Sequence, residues 1–394
     1  MIANAFVGIV AASLVSRLGY QMARSPVLPR FAEDLGAAPE LLGLILGAST
    51  VTGIFFKLPA GALSDVWGRK RMMLLGALFF ALPPFAYPLI TEPWSLLGLR
   101  FVHGAATAIF SPVAAAYVAS LAAANRGARL GLFSAANDTG AAAGPLAGGL
   151  LLFWTASYDA VYLTVAALGL ATMVLIALLP EPPAEPAVTD HSGQTRAQRF
   201  AAGIAEIFRT PPVIIAASVE AAMYLGFGAF LGFLPLYAKS LGLNDAEIAL
   251  PLAAQVAVAL AAKPLTGRLS DRIGRKPVIV AGLIACAAAL PLLFRSEELP
   301  ALLGFSALLG LGVALVTPAT NALVADLVKR HRLGAAMGVF GTIWDVGEAM
   351  GPIAAGFLLG RIGYAATFDV LAAITVGAAL VFAATVRPPP AQPA

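Results

Sequence analysis

The sequence predicts an all-α membrane protein: twelve transmembrane helices in two pseudo-symmetric six-helix bundles. Three observations predict it. Of the 394 residues, 59% are hydrophobic and 12% charged, and the mean hydropathy is +0.86. A water-soluble domain carries about 25% charged residues, and half that share cannot cover a water-facing surface. Polar breaks divide the chain into about twelve apolar runs, each near the ~20 residues a helix needs to cross a bilayer. Finally, a short basic segment occurs twice. Gly61, Leu63, Ser64, Asp65, Gly68, Arg69 and Lys70 return in the same order as Gly267, Leu269, Ser270, Asp271, Gly274, Arg275 and Lys276, each displaced by 206 positions (267 − 61).

The first run, near 3–24, follows Met1-Ile2-Ala3-Asn4-Ala5, which lacks a basic leader region. It therefore reads as a retained helix, not a cleaved signal. The runs near 40–64 and 72–91 flank the first basic segment, whose glycines and aspartate make a tight hairpin between two membrane helices. Runs near 95–122, 130–153 and 158–179 complete a first half, residues 1–180. The longest polar interruption, 181–210, opens on Glu181-Pro182-Pro183-Ala184-Glu185-Pro186. It continues into a basic amphipathic segment with Phe200, Ile204, Ile207 and Phe208 on one face, suited to lie in the membrane interface. A plain tether and a regulatory role are both open for it. Six runs near 211–237, 246–267, 277–294, 299–326, 334–358 and 363–386 form the second half, 211–394.

Sidedness follows from charge. With both termini and the two basic hairpins on one side, the opposite loops hold only Arg30, Lys239, Arg295 and Arg361. The ratio of basic residues is roughly four to one, which makes the hairpin side cytoplasmic; the expected location is the cell inner membrane. The sequence pI near 9.3 has the same origin: its basic residues sit in short loops, so it signals membrane sidedness and no nucleic-acid partner. Cys286 is the one cysteine, and His103, His191 and His331 lie in different segments, so neither a disulfide framework nor a metal site is expected. A P-loop, a nucleophile elbow and a strand-borne dinucleotide fingerprint are absent, so no cofactor, no enzyme activity and no ATP drive are expected.

The repeat extends beyond the hairpins. Leu96-Leu97-Gly98, Gly104 and Pro112 correspond to Leu302-Leu303-Gly304, Gly310 and Pro318, again at 206 (310 − 104). Gly144-Pro145 corresponds to Gly351-Pro352 at 207 (351 − 144). Transporters commonly build a central site from such repeats.

The two basic hairpins resemble the loop signature G-x-x-x-D-x-x-G-R-K of the major facilitator superfamily. In the fifth run, Gly140, Gly144, Pro145, Gly148 and Gly149 resemble the signature G-x-x-x-G-P-x-x-G-G of the twelve-helix drug/proton antiporters in that superfamily. Glycines four apart also open a groove for close helix packing, which is the plain structural reading. Arg100 with Gly104 resembles a fourth-helix motif, R-x-x-x-G, linked in the family to proton coupling; His103 stands where that pattern often has glutamine. The resemblance implies Gly61, Asp65, Gly68, Arg69, Lys70, Gly267, Asp271, Gly274, Arg275 and Lys276 as parts of a cytoplasmic gate.

Ionisable residues inside membrane helices cost at least a few kcal/mol when unpaired, so each is a functional candidate. They are Arg17, Arg24, Lys57, Arg100 and Asp138 in the first half, and Glu220, Lys263, Asp345 and Glu348 in the second. Lys57 and Lys263 are equivalent at 206 (263 − 57), and Asp138 and Asp345 at 207 (345 − 138). Lys57 precedes Asp65 by eight residues and Asp138 follows Arg129 by nine, which places them about 12 and 13 Å from the same surface. The family fold puts the second helix beside the eleventh and the fifth beside the eighth. Two symmetric pairs are therefore expected, Lys57–Asp345 and Lys263–Asp138, with pairing inside each half as the alternative.

Glu220 has no charged neighbour within a helical turn, and its equivalent is Ser13 (220 − 207), so symmetry does not require a carboxylate there. A carboxyl shielded from water is suited to carry a proton between two sides. The alternatives are a static pair with Arg17 or Arg100, or Glu348 as carrier. Arg17, Tyr20, Gln21 and His103, with Tyr224, Phe227 and Trp344, are expected to line a substrate cavity; their charges do not decide the cargo. The reading is a monomeric, proton-coupled antiporter exporting a small, partly hydrophobic compound, the activity behind multidrug resistance. The alternatives are an importer or metabolite exporter of the same fold, or a membrane receptor or assembly factor on a transporter scaffold.

Overall fold

The computed structural model describes residues 2–121, 126–181, 211–328 and 333–386. The amphipathic segment 182–210, with Phe200, Ile204, Ile207, Phe208 and His191, and residues 329–332 with His331, lie outside the described residues. So do the side chains at 2, 3, 58, 62, 65, 126–128 and 333–335, Asp65 among them.

Every regular element among the described residues is a helix. In chain order they are α1 (Ile2–Arg24), α2 (Val27–Asp34), α3 (Pro39–Trp67), α4 (Arg69–Ala81), α5 (Pro93–Ser120), α6 (Arg126–Thr155) and α7 (Tyr158–Ala177). The second half supplies α8 (Pro211–Ser240), α9 (Asp245–Ile273), α10 (Arg275–Leu293), α11 (Leu299–Leu327) and α12 (Leu333–Thr385). Every apolar run read from the sequence is a helix, with three departures at its edges. The first run gains a short continuation, α2. The third stops at Ala81 and finishes as a 3₁₀ segment, Pro83–Leu89, because Pro83, Pro84 and Pro88 lack the N–H an α-helix needs. The last two runs are the two arms of α12, which meet at Gly363, where φ is 72°.

Local chemistry explains the other boundaries. Gly68 and Gly274 both sit at positive φ, 94° and 95°, where a side chain would be strained, and each turns one helix directly into the next. Ser157 accepts a bond from the Ala160 N–H at 3.2 Å and starts α7. A capping box starts α9: Asn244 Oδ1 accepts from the Glu247 N–H at 3.0 Å, and Glu247 Oε2 accepts from the Asn244 N–H at 2.9 Å.

The helices cluster into two compact units, Met1–Val188 with Leu231–Ala253, and Thr189–Phe230 with Ala254–Ala394. In the first, α1 packs on α6 and α7, α3 on α5, and α4 on α5 and α7. In the second, α10 packs on α11 and α12. Equivalent glycines make equivalent approaches. A Cβ on Gly76 of α4 would lie 3.0 Å from the Phe110 backbone of α5, and one on Gly282 of α10 would lie 2.8 Å from Gly312 O of α11. Large apolar side chains face outward, among them Val66 and Leu89 at 78% exposure and Leu178 at 77%, a surface suited to lipid.

Candidate functional site

The first unit encloses a polar core around Arg100. The side chain comes from the middle of α5 and is fully buried. Its Nη2 donates to Ser49 Oγ of α3 at 2.7 Å and its Nη1 to Tyr87 Oη at 3.3 Å. The same Tyr87 hydroxyl lies 3.0 Å from His103 Nδ1 and shares one proton with it. The Tyr20 ring lies 5.9 Å from the guanidinium and 5.2 Å, edge-on, from His103, and Tyr87 stacks on Tyr162 at 4.0 Å. Among the described residues no carboxylate pairs with Arg100; neutral oxygens and ring faces carry the charge. The structure thus brings Tyr20, Arg100 and His103 together inside the bundle, with His103 fully buried. Tyr87, Ser49 and Tyr162 join them without any signal in the sequence pattern.

The fifth-run glycines lie on α6 against α1. A Cβ would sit 2.6 Å from Leu14 O at Gly140, 2.5 Å from Gln21 Cβ at Gly144, and 2.8 Å from Met22 O at Gly148. Gly149 turns instead to α9, where a Cβ would meet Ala249 Cβ at 2.6 Å. Arg17 and Gln21 stand on this same packed face of α1, half-buried. The ladder repeats in the second unit, where Gly347 meets Ala221 O and Gly351 meets Leu225 O of α8. Gly347 was legible in the sequence as the equivalent of Gly140 (347 − 140 = 207) and completes the repeat.

In the second unit Glu220 is 1% exposed, and Thr320 Oγ1 of α11 donates to its Oε2 at 2.7 Å. No cation among the described residues pairs with it. The static pair with Arg100 is not what Arg100 makes. Beside it on α8 and α12, Tyr224 lies 4.8 Å from Trp344 and 5.7 Å, edge-on, from Phe227, so the three expected aromatics form one cluster. Asp345 is buried, and Glu348 is half-buried one turn further along α12. Lys57 on α3, Asp138 on α6 and Lys263 on α9 are half-buried within their helices.

In the second hairpin Arg275 pairs with Asp271, donates from Nη1 to Ser270 Oγ at 2.8 Å, and reaches Asp326 Oδ2 from Nε at 3.3 Å. One guanidinium thus ties the ends of α9, α10 and α11. In the first hairpin Arg69 and Lys70 are half-buried at the start of α4, as Lys276 is in α10. Among the described residues nothing lies within 4 Å of a Cβ position at Gly61 or Gly267, so packing on those residues does not explain them.

At the opposite helix ends the first unit holds an ion-pair cluster. Lys239 of α8 bonds Glu33 Oε2 at 2.7 Å and Asp34 Oδ1 at 3.0 Å, both on α2. Tyr158 donates to Asp34 Oδ2 at 2.5 Å, and Arg30 pairs with Asp245 at the start of α9. Along the sequence Arg30 and Lys239 stand only as loop charges; their partners lie about 200 residues away.

A family model described as Major Facilitator Superfamily matches residues 9–244 and 216–394, nearly the whole chain. The chain belongs to the major facilitator superfamily. Its relatives agree. It is 25% identical over 367 residues to an uncharacterized MFS-type transporter of Methanocaldococcus jannaschii, covering 90% of this chain and 91% of the relative. It is 29% identical to the multidrug resistance protein MdtG of Serratia proteamaculans (89% and 86% covered) and 24% identical to the multi-drug resistance efflux pump PmrA of Streptococcus pneumoniae (87% and 86%). Among solved structures, a mutant of the nucleoside transporter NupG superposes with a TM-score of 0.82 at 13% identity, covering 97% of this chain and all of that one. A bacterial homolog of the human lysosomal transporter Spinster superposes at 0.77 and 17%, covering 97% and 95%. At such identities these likenesses establish the major facilitator fold alone. The chain is a multi-pass membrane transporter of this superfamily and not an enzyme.

Proposed function

We propose that this transporter exports a small, partly hydrophobic compound in exchange for protons, as a monomer of the inner membrane with both termini cytoplasmic. The observation that carries the reading is Glu220: a carboxyl 1% exposed in the middle of a membrane helix, held by a threonine and by no cation among the described residues. A carboxyl in that setting is suited to alternate between charged and neutral forms, which a static ion pair would prevent. Names of efflux proteins among the relatives and the complete Gly-Pro signature on α6 support the direction. Tyr224, Phe227 and Trp344 offer an aromatic wall for an apolar cargo near that carboxyl. Arg17, Tyr20, Gln21 and His103 are proposed as the first half's share of the cavity, with Arg100, Asp138, Asp345 and Glu348 as further coupling residues.

Proteoliposomes with an imposed pH gradient and ethidium as probe test this. The wild type should drive the dye toward the acidic side, and Glu220→Gln should lose that drive while keeping dye exchange. No response of the wild type to the gradient sinks the proposal, and dye moving with the protons makes the protein an importer.

The gate reading assigns the two hairpins, with Asp65, Arg69, Asp271 and Arg275, to an outer cytoplasmic layer. Lys57–Asp345 and Lys263–Asp138 form the proposed inner layer, supported by the repeat displacement of both partners. Removing one charge strands the other, so Lys57→Ala should change thiol labelling of single cysteines placed on the cytoplasmic halves of α3 and α12. Unchanged labelling and flux would leave no role for the latch.

A further inference from the structure

Resting on the reading of Glu220 as proton carrier, we infer that Thr320 is a positioning residue that holds the Glu220 carboxyl in both of its protonation states. The two side chains are buried together, at 1% and 0% exposure, with Thr320 Oγ1 2.7 Å from Glu220 Oε2. The same hydroxyl lies 3.0 Å from Val316 O and 3.1 Å from Thr317 O. A hydroxyl has one proton and two acceptor lone pairs, so it serves one of these oxygens as donor at a time. When Glu220 is ionised, the Thr320 proton points to Oε2 in a charge-assisted bond. When Glu220 takes up a proton from the open pathway, its own O–H donates to Thr320 Oγ1, and the threonine proton turns back to the Val316 carbonyl, four residues earlier on its helix. The transferred proton stays on Glu220 until it leaves by the other side. Thr320 neither gains nor loses one, and no covalent bond to it changes. Neither state strands a buried donor or charge.

The surrounding backbone is built to keep this hydroxyl in place. Pro318 lacks an N–H and leaves the Ala314 carbonyl without its helical donor; Thr266 Oγ1 of α9 supplies one at 2.6 Å. None of these polar groups is required by the repeat. Glu220, Thr320 and Thr266 stand where the first half has Ser13 (220 − 207), Ala114 (320 − 206) and Ala60 (266 − 206). The carboxyl and the two threonine hydroxyls belong to one half only. Titratable groups on α10, α11 and α12 are Arg275, Lys276 and Cys286 on α10, Asp326 at the end of α11, and Asp345, Glu348, Arg361, Tyr364 and Asp369 on α12. Cys286 is turned to Leu309 O, and Asp326 is engaged by Arg275.

The test is pH-difference infrared spectroscopy of the carboxyl C=O stretch, on the purified full chain in lipid bilayers, for the wild type, Glu220→Gln, Thr320→Val and Thr320→Ser. We expect a titrating band that is missing in Glu220→Gln. In Thr320→Val both protonation states lose their bond to the hydroxyl, and the carboxylate loses the stronger, charge-assisted one, so the midpoint should rise by about one pH unit and the band should move toward the frequency of a free carboxyl. Thr320→Ser should restore both. If Thr320→Val titrates as the wild type does, or Thr320→Ser behaves as Thr320→Val, the role of Thr320 is overturned while Glu220 remains the carrier. If no band disappears in Glu220→Gln, the carrier reading fails, and the role of Thr320 fails with it.

Discussion

Arg100 and Glu220 are both ionisable residues deep in helices, and their surroundings separate their roles. Arg100 is fixed by Ser49, Tyr87 and the Tyr20 ring, three partners from outside its own helix, so it is held as a permanent cation. Burying a charge without a carboxylate is costly, and an apolar side chain of similar length removes that cost while leaving Ser49 and Tyr87 short of a donor but stranding no charge. Arg100→Met is therefore expected to leave the thermal midpoint of the purified protein unchanged or higher while abolishing transport. A large fall in the midpoint would show that the residue is structural.

Helices in lipid have little hydrophobic force drawing them together, so close backbone approach does much of the work. Gly144 shows the consequence. A methyl there would meet Gln21 Cβ at 2.5 Å and Leu18 O at 3.0 Å, so Gly144→Ala must move α6 away from α1. That overpacking is expected to cost about 1–3 kcal/mol, seen as a lower unfolding midpoint by intrinsic fluorescence. Gly61 lies inside α3 with open space around it among the described residues, and Gly61→Ala should gain up to about 1 kcal/mol from helix propensity. If Gly61→Ala is as stable as the wild type yet fails to transport, its hairpin acts in gating. Equal destabilisation by both variants would contradict the packing account. The glycine ladder was readable in advance because spacing along one helix determines which residues share a face; that α1 is its partner was not.

For the whole molecule, the ion-pair cluster of α2, α7, α8 and α9 is where the second half's α8–α9 turn is held to the first-half helices. Lys239 is about one-third exposed, so its pairs with Glu33 and Asp34 are screened and contribute about 0–1 kcal/mol to stability. Lys239→Glu sets three acidic groups together. It should leave the unfolding midpoint within a few degrees but raise the thiol reactivity of a cysteine placed at Ser25, whose hydroxyl bonds Leu231 O at 3.0 Å. Adding Glu33→Lys should bring the reactivity back toward wild type. No change in reactivity would show that the cluster does not hold this turn.

The sequence by itself determined what depends on local or regular patterns. Apolar run length set the helices, Gly68 and Gly274 set the hairpins, and a displacement of 206 or 207 gave the repeat. Tertiary structure alone decided what each buried polar group touches. Ser49 is 51 residues from Arg100, Thr320 is 100 from Glu220, and Glu33 is 206 from Lys239. A hydrogen bond depends on ångström-scale placement of atoms that packing brings together, and no spacing along the chain encodes that distance.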